Sequence, residues 1–260
     1  LPYVKEHTRM TTIKRHPTLL SVIRSLLTPY FYHVTARTLI DAIAQHQIVP
    51  VYQPFYDSQT GLMAGIEVLA RWKHPLYGNV AIAMLTHHLI LQVITDLQHR
   101  IHLFPEGLYI SLNLSPSNCL DPRFESDTVA LLQKLATRHV QLIIEITEKH
   151  PLHVTPQLSE WFAALRRSPI SIALDDFGTG YSNLAYIHAL DPEYIKIDRL
   201  FVSQIGEHGD LRLMESLIEL AKKMHLRIIA EGVETQHQAD YLRLNECDFL
   251  QGYYFCRPVQ

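Results

Sequence analysis

The chain has 260 residues, 47% of them hydrophobic, and a formal net charge of −3. That length and apolar content suffice to bury a large core in one domain, and the slightly acidic balance excludes a broad basic surface for duplex nucleic acid, so any phosphate site must be local. Cys119, Cys247 and Cys256 are odd in number and lack CxxC spacing, which argues against a disulfide framework or a zinc knuckle and suits a reducing compartment such as the cytosol.

Residues 1–35 are mixed and weakly basic (Lys5, Arg9, Lys14, Arg15, Arg24) and read as a linker or short helices. The longest apolar stretch, 18–34, is interrupted by Arg24 and Pro29, so no run reaches the ~18 residues of a membrane span. The chain starts at Leu1, which leaves room for an upstream sensory or membrane region. From there short β-rich runs follow in order: VPVYQPF (49–55), IEVLARW (66–72), YISLNLS (109–115), LIIEIT (142–147), SIALDDF (171–177), YIKIDR (194–199), RIIAEGV (227–233) and DFLQGYYF (248–255), eight strand candidates.

Only DSQTG (57–61) and a few neighbours separate the first two runs, too few for a crossover helix, so those strands should form an antiparallel hairpin. Every later gap can hold a helix. The clearest is 209–224, where Leu213, Leu217, Leu220, Ala221 and Met224 recur at helical spacing, as expected of an amphipathic helix covering a sheet. Strands alternating with helices predict an α/β fold, a modified TIM barrel of β(βα)7 type with an antiparallel first strand. An open doubly wound sheet is the alternative.

In such a barrel chemistry sits at the carboxyl ends of the strands. The polar residues interrupting the apolar runs are Gln53, Glu67, Asn113, Glu145, Asp175 with Asp176, Lys196 with Asp198, Glu231 and Gln251. One acid at a strand end is by itself more often a cap or turn residue than a ligand, but a polar residue on nearly every strand reverses that reading. Several carboxylates in apolar surroundings are costly unless they pair or bind cations. An oxygen-rich set without clustered His or Cys suits Mg²⁺ or Mn²⁺, and two such ions are a recurrent device for phosphodiester hydrolysis. A rival reading takes GTGYSN (178–183) as a dinucleotide-binding loop with Asp198 as the ribose acid, but the last glycine is missing and the two aspartates would repel a pyrophosphate. Gly178 and Gly180 read instead as hinges of a mobile loop. His87 and His88 lack ligand spacing to a nearby acid and read as solvent-facing.

EVLARWKHP (67–75), NLS (113–115), EITE (145–148), DDFGTGYSN (175–183), KIDRLFV (196–202), AEGVET (230–235) and QGYYFCRP (251–258) occur in an order that resembles bacterial EAL domains, from residue 36 to the end. The resemblance implies a barrel over 36–260 that opens cyclic di-GMP to linear pGpG, using two Mg²⁺ or Mn²⁺ ions, as a homodimer. By motif position it implies Glu67, Asn113, Glu145, Asp175 and Asp176 as metal ligands. Lys196 and Glu231 would serve catalysis with Glu67 by positioning or activating water. Gln53, Leu69, Arg71 and Gln251 would contact substrate, and Glu148 would steady the loop that begins at Asp175.

Two departures stand out. The signature triplet is Glu67-Val68-Leu69, with valine in place of alanine, and 78–92 (GNVAIAMLTHHLILQ) differs from the family's stretch along the nucleotide site. The second departure motivates an alternative: a receptor that holds cyclic di-GMP, or a protein-interaction module, without turnover. A metal-dependent sugar or enolate lyase on the same kind of barrel is a more distant third.

Overall fold

A computed structural model describes residues 41–74, 78–82, 86–114, 122–147, 155–179, 184–206 and 209–260. The compact unit of interest spans His46–Gln260; of the unit before it, Leu1–Gln45, only residues 41–45 are described. The expected linker 1–35, the loop residue Glu148, Gly180 and Cys119 lie outside the described residues.

The strands are β1 (Ile48–Asp57), β2 (Met63–His74), β3 (Gly78–Ile82), β4 (Tyr109–Leu114), β5 (Gln141–Thr147), β6 (Ile170–Phe177), β7 (Tyr194–Ile197), β8 (Arg227–Ala230) and β9 (Phe249–Gln251). Their order is β1-β9-β8-β7-β6-β5-β4-β2-β3, and β1 also pairs with β2. That extra pairing closes the sheet into a barrel of eight strands, with β3 hanging on β2 outside the closure. β1 is antiparallel to both neighbours, β2 and β9, while β2 and β4 through β9 run parallel. The antiparallel first strand and the eight predicted runs are therefore all present. β3 is the addition; it falls within 78–92 and, among the described strands, pairs with β2 alone, antiparallel.

The β1–β2 hairpin is set by its turn. Asp57 Oδ1 accepts from the backbone N–H groups of Gln59 and Thr60 at 3.1 and 2.8 Å, and Gly61 takes a left-handed φ of 68° that a glycine adopts without strain. β1 pairs with β9 only over Phe55–Asp57, so Pro50 and Pro54, which have no N–H to donate, fall where that second neighbour is missing.

The helices are α1 (Thr86–Leu97), α2 (Pro122–Lys134), α3 (Pro156–Leu165), α4 (Leu184–Leu190), α5 (Arg199–Val202), α6 (Arg212–Lys223) and α7 (Gln236–Leu244). α6 buries Met214, Leu217, Ile218 and Ala221, one stripe at helical spacing, each large side chain contributing about 1.5–3 kcal/mol of transfer free energy. α3 begins with Thr155 accepting from Leu158 N and a proline at its first turn, and buries Leu158, Phe162 and Leu165. These faces join the outward strand residues in the main core, which lies between barrel and helices. A second cluster, Phe55, Ile143, Ala173, Tyr194, Ile229 and Phe249, fills the barrel interior. Below it Arg227 lies over the Phe249 ring at 4.5 Å and donates to the hydroxyls of Tyr109 and Tyr194 at 3.1 and 3.0 Å, plugging the end where the parallel strands begin.

His87 and His88 are half-buried on α1, contrary to the expectation from sequence. His87 Nδ1 lies 2.5 Å from Asp127 Oδ2 on α2, and His88 Nε2 is 3.4 Å from the carbonyl of Ile48. The acid that local spacing lacks comes from another helix. No helix among the described residues is long and apolar enough to cross a membrane.

Candidate active site

Because strand side chains alternate, the apolar plug of the barrel gives way two residues along each strand to a polar layer. Phe249 is followed by Gln251, Ile143 by Glu145, Ala173 by Asp175, Tyr194 by Lys196 and Ile229 by Glu231. On β2 the same step runs from Gly65 to Glu67 and on to Leu69. Gly65 is required there, since a Cβ at that position would lie 2.2 Å from the Phe55 ring.

Lys196 is at the centre. Its Nζ is 2.5 Å from Glu231 Oε1, 2.7 Å from Glu145 Oε2, and 3.5 Å from both Glu67 Oε1 and Asp175 Oδ1. Neutral donors hold two of these carboxylates from other sides. Asn113 Nδ2 donates to Glu67 Oε1 at 3.0 Å and Gln251 Nε2 to Glu67 Oε2 at 2.8 Å, while the buried Ser111 hydroxyl donates to Glu145 Oε1. Lys196 and Glu145 are each 1% exposed, so their charges interact with little screening from solvent.

The electrostatics follow from numbers of charges. Burial acts to raise Glu67, yet Lys196 and the amides of Gln251 and Asn113 outweigh it and hold the carboxyl below its ordinary value. Burial, joined by the charge of Glu67, pushes Glu145 well up against the pull of Lys196. Burial likewise raises Asp175, helped by Asp176 and Glu67, and pushes Glu231 up to about 8. Lys196 is itself held well above its ordinary value, because the four carboxylates overcome its desolvation. One ammonium cannot neutralise four carboxylates, so the ring titrates as a coupled group and retains protons unless further positive charge arrives.

The adjacent aspartates are placed by a bulge. Leu174 pairs with Ile195 and Phe177 with Ile197, so Asp175 and Asp176 together face the single residue Lys196. Asp176 takes φ 54°, and its carbonyl accepts from the N–H and hydroxyl of Thr179 at 3.1 and 2.9 Å. A bulge of this kind re-aims side chains that would otherwise point to opposite faces. Gly178 follows with φ 92°, against Phe201 and Leu217.

A cavity of about 240 Å³ opens above the ring, lined by Gln53, Glu67, Leu69, Asp175, Lys196, Glu231 and Gln251 among the residues expected from sequence. Gln53 is held by a 3.4 Å bond from Nε2 to the carbonyl of Cys256. Asn113 and Glu145 stand behind the wall, bonded to Glu67 and Lys196. Arg71 is half-buried, does not line the cavity, and turns Nη1 to the carbonyl of Ala70 at 2.9 Å. Residues that sequence reasoning did not single out also belong here: Ser111 beneath Glu145, Arg199, Glu234 and Tyr253 in the wall, and Gln238. The last holds the β8–α7 loop, with Oε1 accepting from the N–H groups of Glu234 and Thr235 at 2.7 and 3.0 Å and Nε2 donating to Val202 O at 3.3 Å. Ser111 was legible as the residue two before Asn113 on the same strand face. Glu234 and Tyr253 arrive from loops, Arg199 opens α5 and Gln238 lies in the first turn of α7, and none of these positions carries a periodic signal.

Whether these residues suit divalent cations can be tested on their chemistry. The donors are all oxygens, carboxylates outnumber the ammonium, and Gln251 Oε1 is a buried acceptor with no partner among the described residues, which fits hard cations such as Mg²⁺ or Mn²⁺. Among the described residues no three acidic, His or Cys groups already enclose a common point, because the carboxylates are drawn onto Lys196 instead.

Residues 36–258 match the family described as "EAL domain". The chain is 39% identical over 232 residues to "Probable cyclic di-GMP phosphodiesterase PdeG" of Escherichia coli K12, covering 84% of this chain and 46% of that protein. It is 36% identical over 245 residues to "Cyclic di-GMP phosphodiesterase PdeL" of the same organism, covering 88% and 67%. The chain thus spans about half of the first relative's length. Among solved structures, "PaMucR Phosphodiesterase, c-di-GMP complex" superposes with a TM-score of 0.73 at 27% identity over 86% of this chain and 96% of that one.

Proposed function

The chain belongs to the EAL domain family, and from that premise we propose that it is a metal-dependent phosphodiesterase hydrolysing cyclic di-GMP to linear pGpG. The observation that carries the proposal is the ring of Glu67, Glu145, Asp175 and Glu231 around Lys196 at the carboxyl ends of the barrel strands. The relatives named above as cyclic di-GMP phosphodiesterases support the substrate.

Glu67, Asn113, Glu145, Asp175 and Asp176 would hold the ions, with Gln251 Oε1 as a further acceptor nearby. Two bound divalent cations would supply Lewis acidity, polarising the scissile phosphate and easing deprotonation of water. The protein's share is then clear. Glu231, pushed up to about 8 by burial, is suited to take a proton from the attacking water. Water adds to phosphorus as its proton passes to Glu231, the bond from phosphorus to the ribose 3′ oxygen breaks, that oxygen takes up a proton from solvent to leave as a hydroxyl, and the product keeps a 5′-phosphate. Lys196, locked among carboxylates, offsets negative charge that builds on the phosphoryl oxygens. Gln53 and Leu69 in the cavity wall fit a nucleotide, and Arg71 reaches substrate only after leaving the Ala70 carbonyl.

The proposal includes residues 36–260 as the catalytic unit with 1–35 as a linker or short helices, a reducing cytosolic setting, and pairing with a second copy of the chain. Sedimentation of the purified protein checks the last. The deciding experiment is hydrolysis of cyclic di-GMP with Mg²⁺ and, separately, Mn²⁺, resolving pGpG from GMP, with Glu67→Ala as control. Metal-dependent pGpG from the parent and none from the variant is expected. Saturable binding without product would instead favour the receptor reading, which the β3 addition and the position of Arg71 motivate.

A further inference from the structure

An anionic substrate faces a difficulty at this cavity. Its charged lining comprises Glu67, Asp175, Asp198, Glu231 and Glu234 against Lys196 and Arg199, and Lys196 is committed to four carboxylates at the floor. Asp198 is the N-cap of α5, accepting from Leu200 N at 2.8 Å. Arg199 is exposed, and among the described residues its guanidinium has no ion-pair partner. It is the one uncommitted cation that the described wall offers.

Its root is fixed by a specific feature of the backbone. Gly232, next to Glu231, has φ 69°, and a Cβ there would fall 2.2 Å from Arg199 Cβ and 3.0 Å from Arg199 Cα. The stem of Arg199 therefore lies across the bare backbone of the Glu231 loop, an approach only glycine permits. The arginine's stem packs on the residue that follows the proposed base, and its side chain is exposed where Lys196 is buried. We propose that Arg199 is a substrate-binding residue that grips the second, non-scissile phosphate of the cyclic dinucleotide while the first sits over the carboxylate ring. A planar guanidinium fork suits a phosphate, and a lysine supplies the charge without the fork.

This inference rests on the proposed function, and its test separates the two. Binding is measured by calorimetry with Mg²⁺ on a Glu231→Gln background, comparing cyclic di-GMP with GpG, the linear dinucleotide that keeps both guanines and one phosphodiester. Arg199→Ala should weaken cyclic di-GMP on the order of tenfold, the scale of one charge-assisted contact, and GpG by less than about threefold. Arg199→Lys should recover part of the loss. In the otherwise native enzyme Arg199→Ala should raise KM more than it lowers kcat. Arg212→Ala, which removes an equal charge from a residue paired with Asp210 far out in solvent, is the control for the general field. Equal losses on the two ligands, or losses matched by Arg212→Ala, would overturn the role of Arg199 while leaving the phosphodiesterase reading intact. Neither binding nor turnover of cyclic di-GMP by the parent chain would overturn both.

Discussion

Glu145 shows how a single carboxylate is made dependable. It is buried, and its two oxygens have different partners, the Lys196 ammonium at 2.7 Å and the Ser111 hydroxyl. An ion pair alone leaves the carboxylate free to rotate about its axis, whereas a second donor on the other oxygen fixes the plane. Behind a metal ligand, the role proposed for Glu145, partners of this kind commonly change affinity or activity by about 10–100-fold. Ser111→Ala should therefore raise the Mn²⁺ concentration giving half-maximal binding, followed by electron paramagnetic resonance, by about tenfold. Far-ultraviolet circular dichroism should stay as in the parent, because the removed group is small. An unaltered Mn²⁺ titration would reduce Ser111 to a space-filling residue.

At the scale of elements, the loop from β8 to α7 carries both Glu231 and Glu234 and is held from behind. Thr235 caps α7 through its side chain, and Gln238 answers with its own in a reciprocal capping box, worth on the order of 1 kcal/mol. Gln238 also reaches Val202 on α5, so one glutamine joins the loop bearing the proposed base to the helix bearing Arg199. Gln238→Ala should cost about 1–2 kcal/mol in urea unfolding and speed amide hydrogen exchange across 231–235 more than across the core strand β5. Uniform exchange changes would show that the glutamine supports α7 alone. The strands and the existence of α6 were legible in sequence because burial on one face imposes a period, but the buried stripe of α6 runs through Met214 and Ile218, while Leu213 and Met224 of the expected stripe are exposed. β3 was not legible, since five residues pairing at a single edge carry too little pattern, and neither was the contact of His87 with Asp127, which depends on how two helices pack.

For the whole molecule, the acid ring sets a pH dependence. Glu145, Asp175 and Glu231 have folded-state pKa values raised by burial. A raised carboxyl binds its proton more tightly when folded, so for Glu231 the contribution is fully present below its ordinary value of 4.5 and is lost as pH climbs through its folded value of about 8. Metal-free protein should accordingly lose melting temperature from about pH 5 to pH 8, with a shallower loss in Glu231→Gln. Mg²⁺ or Mn²⁺ should raise the melting temperature more at pH 8 than at pH 5, since cations then replace protons as the charge that balances the ring. Equal metal stabilisation at both values would contradict the ring as the cation site.

The sequence by itself determined the barrel, its reversed first strand and the identity of the polar residues at the strand ends. Those features follow from local rules: alternation, turn chemistry, and the cost of an acid in an apolar run. Tertiary structure alone decided that Lys196 collects four carboxylates, that a bulge sets both aspartates opposite it, and that Arg199 lies across Gly232. Each of these depends on distances between segments far apart in the chain. Alternation and spacing report which face a residue takes, but they carry no measure of how closely two strands, or a strand and a loop, approach.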